Sequence, residues 1–194
     1  MSDVIRVLDF FKEEKAHLVG LSMGGRIARE VALRYPERLL SLTLANTSPG
    51  FDALSPEQVR RFVEERRNRT PESMRALLGS RADPGAYEAL LKSFHALRKP
   101  SYLKTLEASV AQDRAAPVEQ IRVPTLVITG TEDRVYPAPI AQDMARRIPG
   151  AKLVSIEGCG HLSNLEQPAR FNAALLEFLD GNALPRAGGP PRGR

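Results

Sequence analysis

The feature that most constrains this chain is a short apolar run that ends in a glycine-rich turn around a serine. The run contains Leu18, Val19 and Leu21, and the turn reads Gly-Leu-Ser-Met-Gly-Gly over residues 20–25. A helical pattern follows at once, so the order predicts a strand, a very tight turn and a helix, with Ser22 at the apex. Glycines two residues before and two residues after this serine are expected to permit the strained backbone that the turn needs.

A serine at the apex of such a turn projects its hydroxyl out of the sheet, where it can act as a nucleophile. The backbone N–H of Met23, at the positive end of the new helix, can point at a developing oxyanion. The simpler interpretation is a glycine-rich turn between a strand and a helix without any chemistry. The turn alone leaves both interpretations open.

The length and composition indicate one soluble globular domain, or a domain with a small insertion. The chain has 194 residues, of which 42% are apolar and 26% are charged. No apolar run approaches the twenty or so residues that span a bilayer, and the N-terminal segment is charged throughout, so neither a signal peptide nor a membrane anchor is expected. The lone cysteine, Cys159, cannot form an internal disulfide, which favours a reducing compartment such as the cytoplasm.

The net charge of +5 at first suggests a nucleic-acid partner. Three of these charges, on Arg186, Arg192 and Arg194, lie in a terminal segment rich in proline and glycine, so the rest of the chain carries +2. That excess is too small to argue for phosphate binding, and no nucleic-acid partner is expected.

Alternating helical and strand patterns occupy both ends of the chain. The predicted helices cover residues 2–15, 23–35, 139–148 and 168–179, and the predicted strands cover residues 17–21, 39–45, 124–130 and 152–156. Pro36 ends the second helix. The strands are apolar on both faces, which is typical of a parallel sheet that helices cover on both sides. The pattern predicts an α/β fold with a doubly wound sheet.

Residues 51–115 differ, because they contain short helical patterns and no strand pattern. Ser55 and Gln58 form a capping-box sequence around Pro56, Thr70-Pro71 and Asp83-Pro84 repeat the cap-then-proline arrangement, and a further helix is expected from Ser101. We interpret this segment as a helical cap inserted between two parts of the sheet domain, residues 1–50 and 116–182. Residues 183–194 are expected to be disordered.

Three polar residues follow predicted strands, at the edge of a parallel sheet where ligands bind. These are Ser22, Asp133 and His161. A serine hydroxyl needs an imidazole to take its proton, and the imidazole needs a carboxylate to hold its tautomer. The three residues therefore predict acyl-transfer chemistry, with Glu132 as an alternative acid.

The remaining candidate residues have simpler interpretations. His17 begins a strand, so a structural role is favoured for it. His95 lies in the predicted cap, where a solvated helix position is favoured over a catalytic one. Cys159 is favoured as a small loop residue over a second nucleophile. The arginines between Arg60 and Arg69, together with Arg98 and Lys99, form a solvated face or attract an anionic substrate.

The order serine, acid, histidine along the chain resembles that of the α/β-hydrolases. The segments GLSMGG, PERLLSLTLANT, PTLVITGTEDRVYP and GCGHLSNLEQPARFNAALLEFL most resemble the 3-oxoadipate enol-lactonase group. The resemblance implies Ser22 as nucleophile, Asp133 as acid, His161 as base and the Met23 N–H as one oxyanion donor. It also implies a small ester or lactone substrate, with neither a metal nor an organic cofactor. Related esterases, C–C hydrolases and cofactor-free haloperoxidases share similar motifs.

The chain departs from this family at its start. α/β-hydrolases of this type carry three or four strands before the serine turn, and a loop after one of them supplies a second oxyanion donor. The resemblance therefore implies that roughly 75 residues of the family pattern are absent, and that the strand before Ser22 is an exposed sheet edge. Either a partner or a second copy is expected to cover this edge. One alternative function is that of an inactive fragment that acts as an interaction module. The other is that of a cofactor-free haloperoxidase or a related esterase.

Overall fold

A computed structural model describes residues 2–50, 55–112 and 114–183 of the chain. The predicted disordered tail after Ala183 and the first four residues of the predicted cap lie outside these ranges. The described strands are β1 (Ala16–Leu21), β2 (Leu39–Ala45), β3 (Thr125–Gly130) and β4 (Lys152–Ile156). The described helices are α1 (Ser2–Phe11), α2 (Met23–Arg34), α3 (Pro56–Arg67), α4 (Pro71–Met74), α5 (Ala86–Ala96), α6 (Lys99–Gln112), α7 (Ala138–Arg147), α8 (Ser163–Glu166) and α9 (Pro168–Asp180).

The four strands form one parallel sheet in the order β1-β2-β3-β4. The predicted α/β fold is confirmed, and each strand lies within one residue of its predicted bounds. Because all four strands run the same way, their carboxyl ends meet at one edge of the sheet. That edge carries the turn after β1 and the loops after β3 and β4, which contain Ser22, Asp133 and His161.

Helices cover both faces of the sheet, as the apolar strands predict. On one face, α2 and α7 bury a cluster that includes Val31, Leu44 and Met144. On the other face, α9 packs Phe171 and Phe178 against the strands. None of the helices that the structure describes is long and apolar enough to cross a bilayer.

β1 is an edge strand, as the resemblance implies. It pairs only with β2 among the described strands. Val19 on β1 exposes 41% of its surface, and on the neighbouring α1 the exposed fractions of Phe10 and Phe11 are 80% and 66%. β1 and α1 therefore each expose apolar side chains, and β1 also presents an unpaired strand edge among the described residues.

The prediction that the first helix continues to Lys15 is wrong, because α1 ends at Phe11. Lys12 adopts a left-handed conformation with φ of 57°. The N–H of Glu13 donates to the carbonyl of Leu8, and the N–H of Lys12 donates to the carbonyl of Asp9. These two bonds form a Schellman motif, which terminates the helix without a glycine.

Residues 55–112, which we call the helical segment, contain α3 to α6 and no strand. Ser55 and Thr70 each form the complete capping box, with Gln58 and Ser73 as the reciprocal partners. The interpretation of this helical segment as a cap domain separate from the sheet domain stays a prediction.

Two predicted helix starts in the helical segment are wrong. The carboxylate of Asp83 accepts the N–H of Gly85 in a turn, so α5 begins later, at Ala86. The last helix of the segment begins at Lys99 and not at Ser101. Pro100 lies inside its first turn, where a proline costs no helical hydrogen bond.

Candidate active site

The backbone around Ser22 forms the strained turn that the sequence predicts. Ser22 has φ of 52° and ψ of −116°, a conformation that non-glycine residues rarely adopt. Its N–H donates to the carbonyl of Ala45 at the end of β2, and its own carbonyl accepts the hydroxyl of Thr47 at 2.7 Å. The last residue of β2 and Thr47, two residues after it, therefore fix the N–H and the carbonyl of Ser22.

The three glycines of the turn differ in whether a Cβ atom would fit at their position. A Cβ at Gly20 would lie 2.4 Å from the carbonyl oxygen of Gly24, and one at Gly25 would lie 2.5 Å from the Thr47 side chain. A Cβ at Gly24 would meet nothing within 4 Å. The expectation that a glycine is needed two residues after the serine is therefore wrong, because the close approach after the turn occurs at Gly25.

The structure brings together all three side chains that the strand ends predict. The Oγ of Ser22 lies 2.9 Å from Nε2 of His161, and Nδ1 of His161 lies 3.0 Å from Oδ2 of Asp133. The side chain of His161 is 8% exposed and that of Asp133 is fully buried. A serine, an imidazole and a carboxylate thus form one continuous chain of hydrogen bonds at the carboxyl edge of the sheet.

Asp133 remains an acceptor because donors surround its carboxylate. Burial is the largest single influence and by itself raises the pKa of Asp133. The hydrogen bond and charge of His161, together with the hydrogen bonds from Tyr136 and Asn46, outweigh it, so the net pKa is below its ordinary value. The N–H groups of Val135 and Tyr136 donate to Oδ1 at 2.8 and 3.0 Å. The amide of Asn46 donates to Oδ2 at 3.1 Å.

Asn46 is a residue of the site that the sequence analysis missed. It follows β2, is 1% exposed and adopts a left-handed φ of 46°. Its Nδ2 donates both to Asp133 and to the carbonyl of Gly160, while its Oδ1 accepts the hydroxyl of Ser163. The side chain therefore connects the loop after β3, which contains Asp133, to the loop after β4, which contains His161 and which we call the histidine loop. Its position after a buried strand, at the edge that carries the other site residues, was the available signal.

Met23 is the first residue of α2. The first N–H groups of a helix have no acceptor within the helix, and they lie at its positive end. The Met23 N–H thus belongs to the first turn of α2, directly after Ser22, and its role as an oxyanion donor stays a prediction.

The alternative candidates lie elsewhere. The carboxylate of Glu132 accepts the N–H and the hydroxyl of Ser80, at 2.7 and 2.6 Å, instead of facing His161. Nδ1 of His17 lies 2.7 Å from the hydroxyl of Ser41 within the sheet. Burial raises the pKa of Cys159 to about 12, so its thiol is not ionised near neutral pH.

A cavity of about 540 Å³ lies between α3 and the loop after β3, which contains Asp133. Arg66, Arg69 and Arg134 line it together with one carboxylate, that of Glu65. Burial and the nearby charge of Arg69 lower the pKa of Arg66, as expected where cations crowd together. Tyr136 also lines the cavity, and its ring centroid is 5.7 Å from that of His161. The cavity thus carries an excess of positive charge, and Tyr136 links it to His161, although neither His161 nor Ser22 lines it.

The outer side of α3 has no such excess. A groove there is lined by three arginines and three glutamates: Arg60, Arg61, Arg67, Glu57, Glu64 and Glu107. The arginine run of the sequence therefore contains two groups. One group is a solvated face with paired charges, and the other faces the cavity.

The comparison with known families agrees with this geometry. The family model described as the alpha/beta hydrolase family matches residues 1–174. The chain belongs to this family. The resemblance that the sequence suggests is thereby confirmed at the level of the α/β-hydrolases.

Several relatives of this α/β-hydrolase are hydrolases by name. The chain is 32% identical over 187 residues to a 2-hydroxy-6-oxononadienedioate/2-hydroxy-6-oxononatrienedioate hydrolase of Paraburkholderia phymatum, an alignment that covers 89% of this chain and 65% of that protein. A solved hydrolase from Pseudomonas aeruginosa PA01 is 33% identical with a TM-score of 0.75, and the match covers 92% of this chain and 69% of that one. The enol-lactonase from Burkholderia xenovorans LB400 is 26% identical with a TM-score of 0.76, over 92% of this chain and 70% of that one. The chain thus spans about two thirds of the length of these relatives.

Proposed function

We propose that this chain is a cytoplasmic serine hydrolase that cleaves a small ester or lactone through an acyl-enzyme. The observation that carries the proposal is the hydrogen-bonded chain from Ser22 through His161 to Asp133, with distances of 2.9 and 3.0 Å. These distances lie within the range that proton transfer between a nucleophile and its base requires. Membership of a hydrolase family supports the same chemistry.

In the first half of the reaction, Oγ of Ser22 attacks the carbonyl carbon while Nε2 of His161 takes the hydroxyl proton. Asp133 stabilises the imidazolium that forms and keeps Nδ1 protonated. The N–H of Met23 donates to the oxyanion of the tetrahedral intermediate. His161 then returns the proton to the leaving alcohol, and the acyl group remains on Ser22.

In the second half, water replaces the alcohol. His161 takes a proton from the water, whose oxygen attacks the acyl carbon, and then returns that proton to Ser22 as the carboxylic acid leaves. The helical segment covers the acid and histidine loops, where Leu77 and Leu90 pack with Val135 and Leu162. In this proposal the helical segment acts as a cap that shapes the substrate pocket and excludes bulk water.

The arginine-lined cavity, which Tyr136 links to His161, favours a substrate that carries a carboxylate. Arg66, Arg69 and Arg134 outnumber the single lining carboxylate of Glu65. Charged hydrogen bonds from arginine to a carboxylate are strong and geometrically specific. A small ester or lactone with an acidic end fits this arrangement better than a neutral one.

A fluorophosphonate probe tests the proposal, because it reacts covalently with an activated serine. We expect stoichiometric labelling of the wild-type chain on the peptide that contains Ser22, and no labelling of Ser22→Ala. Ser93→Ala is the matched control, because Ser93 is exposed on α5 and hydrogen-bonds only the carbonyl of Ala89. Absence of labelling in a well-folded wild-type chain would contradict the proposal.

The open edge of β1 favours a second candidate function, that of an interaction module. Val19 is exposed on this strand, and an edge strand offers unpaired N–H and C=O groups to another chain. Either a partner or a second copy would add its strand there. Under this alternative the folded chain fails to react with the probe, and Val19→Lys abolishes association measured by analytical ultracentrifugation.

A further inference from the structure

Glu166 is a buried carboxylate that the proposed hydrolysis does not use. It lies at the end of α8, five residues after His161, and exposes none of its surface. A carboxylate in such a place is costly unless hydrogen-bond donors replace its water. Three backbone N–H groups, from two separate parts of the chain, donate to it.

Two of these donors flank the histidine. The N–H of Gly160 donates to Oε2 of Glu166 at 2.8 Å, and the N–H of Leu162 donates to Oε1 at 2.9 Å. A single side chain thus fixes the backbone immediately before and immediately after His161. The position from which the imidazole reaches Ser22 depends on this backbone.

The third donor belongs to the helical segment. The N–H of Gly79 donates to Oε2 at 2.6 Å, so Oε2 accepts from Gly79 and Gly160 at the same time. The backbone carbonyl of Glu166 also accepts the N–H of Asp83 at 2.7 Å. Residues 77–83 of the helical segment therefore meet the histidine loop at this carboxylate.

The backbone of residues 77–79 also contacts the backbone of the histidine loop directly. The N–H of His161 donates to the carbonyl of Leu77 at 2.7 Å. A Cβ at Gly160 would lie 2.4 Å from that carbonyl oxygen, and one at Gly79 would lie 2.4 Å from the carbonyl of Gly158. The helical segment cannot shift here without moving the histidine loop.

We infer that Glu166 is a positioning residue that couples the helical segment to His161. The inference rests on the proposed function, in which His161 transfers the proton. Proton transfer is then efficient only while residues 77–83 are seated on the histidine loop. The shape of the substrate pocket and the alignment of the base are set together by one carboxylate.

A pair of esters with different leaving groups tests this inference on Glu166→Gln. Ethyl butyrate needs a proton from His161 as ethoxide leaves, whereas 4-nitrophenyl butyrate releases a stable phenolate without one. We expect kcat/KM of the variant to fall at least tenfold more for the ethyl ester. Equal losses for both esters would overturn the inference, because a smaller folded fraction lowers both rates alike.

Glu132→Gln is the matched control. The carboxylate of Glu132 also holds the helical segment, through Ser80, but its side chain makes no hydrogen bond to the histidine loop. The ratio of the two kcat/KM values is expected to stay as in the wild type. The same change of ratio in both variants would also overturn the inference.

Hydrogen exchange provides a second measurement, which does not depend on turnover. In Glu166→Gln, peptides covering residues 77–83 and 158–163 should both exchange faster, whereas in Glu132→Gln only the first should. Faster exchange of residues 158–163 alone in Glu166→Gln would show that the loops are not coupled. Failure of the proposed function would appear separately, as wild-type hydrolysis that Ser22→Ala leaves unchanged.

Discussion

Nδ2 of Asn46 lies 3.1 Å from Oδ2 of Asp133, although 87 positions separate the two residues in the chain. The same nitrogen donates to the carbonyl of Gly160, next to His161. Asn46 therefore links the end of β2 to both the acid and the histidine. An amide is suited to this place because it provides two donors to the site and an acceptor for Ser163.

We expect Asn46→Leu to lower both activity and stability. The variant removes one hydrogen-bond partner from the carboxylate of Asp133, the carbonyl of Gly160 and the hydroxyl of Ser163. Leaving a buried polar group unsatisfied costs about 1–3 kcal/mol. The free energy of unfolding from urea titration should fall by about that amount, and kcat/KM should fall about tenfold or more. Ser163→Ala is the milder control, because it removes one neutral donor. An unchanged kcat/KM in Asn46→Leu would contradict the assigned contact.

The sequence predicts the turn and the three site residues well, because these depend on local patterns. The glycines around Ser22 and the polar residues after β1, β3 and β4 are recognisable from spacing alone. Asn46 and Glu166 are not, because their importance comes from donors and acceptors that lie far away in the chain. In the sequence, Glu166 is one more polar residue between the loop of His161 and the helix predicted for residues 168–179, and only its burial distinguishes it.

The end of a helix can also depend on a conformation that the sequence does not predict. The end of α1 depends on the left-handed conformation of Lys12, which lysine does not favour and which no sequence signal marks.

The sequence also does not predict which arginines of α3 line the cavity and which line the outer groove. Arg61 and Arg66 belong to one run of residues, yet only Arg66 lines the cavity.

Two glycine substitutions in the turn should have opposite outcomes. Gly20→Ala forces a methyl group against the Gly24 carbonyl, so we expect a loss of about 1–3 kcal/mol and slower labelling of Ser22. Gly24→Ala has open space, and alanine favours a helix more than glycine by about 1 kcal/mol. Thermal unfolding of both variants measures the difference. Equal destabilisation would contradict the close approach at Gly20.

The arginine-lined cavity predicts discrimination between charged and neutral esters. Arg69→Gln and Arg134→Gln should each lower kcat/KM for mono-4-nitrophenyl glutarate about tenfold, because a charged hydrogen bond contributes about 1.5–3 kcal/mol. The neutral ester 4-nitrophenyl butyrate should be hydrolysed as before.

Arg67→Gln is the control for these variants, because Arg67 lines the groove on the outer side of α3 and pairs there with Glu64, away from the cavity. Its ratio of rates for the two esters should match that of the wild type. A loss for the charged ester in Arg67→Gln as large as in Arg69→Gln would show that general attraction, and not the cavity, recognises the carboxylate.

The lowered pKa of Asp133 predicts how stability depends on pH. A carboxyl whose pKa is lower in the folded state stabilises the fold above its unfolded pKa, which is about 3.9, and this contribution is lost as the pH falls through the folded value. Urea unfolding between pH 2 and pH 6 should show this acid loss in the wild type. Asp133→Asn should reduce the dependence in that range, whereas Asp143→Asn, on the partly exposed side of α7, should retain it.

The most direct measurement is rapid mixing of the chain with 4-nitrophenyl acetate, followed by mass spectrometry of the quenched protein. We predict a burst of nitrophenolate equal to the concentration of active sites, with one acetyl group on the peptide that contains Ser22. His161→Ala should slow the burst at least a hundredfold, and Ser22→Ala should abolish it. Acetylation that persists in Ser22→Ala, or a folded wild-type chain that shows no burst and no acetylated serine, would contradict catalysis by Ser22 and His161.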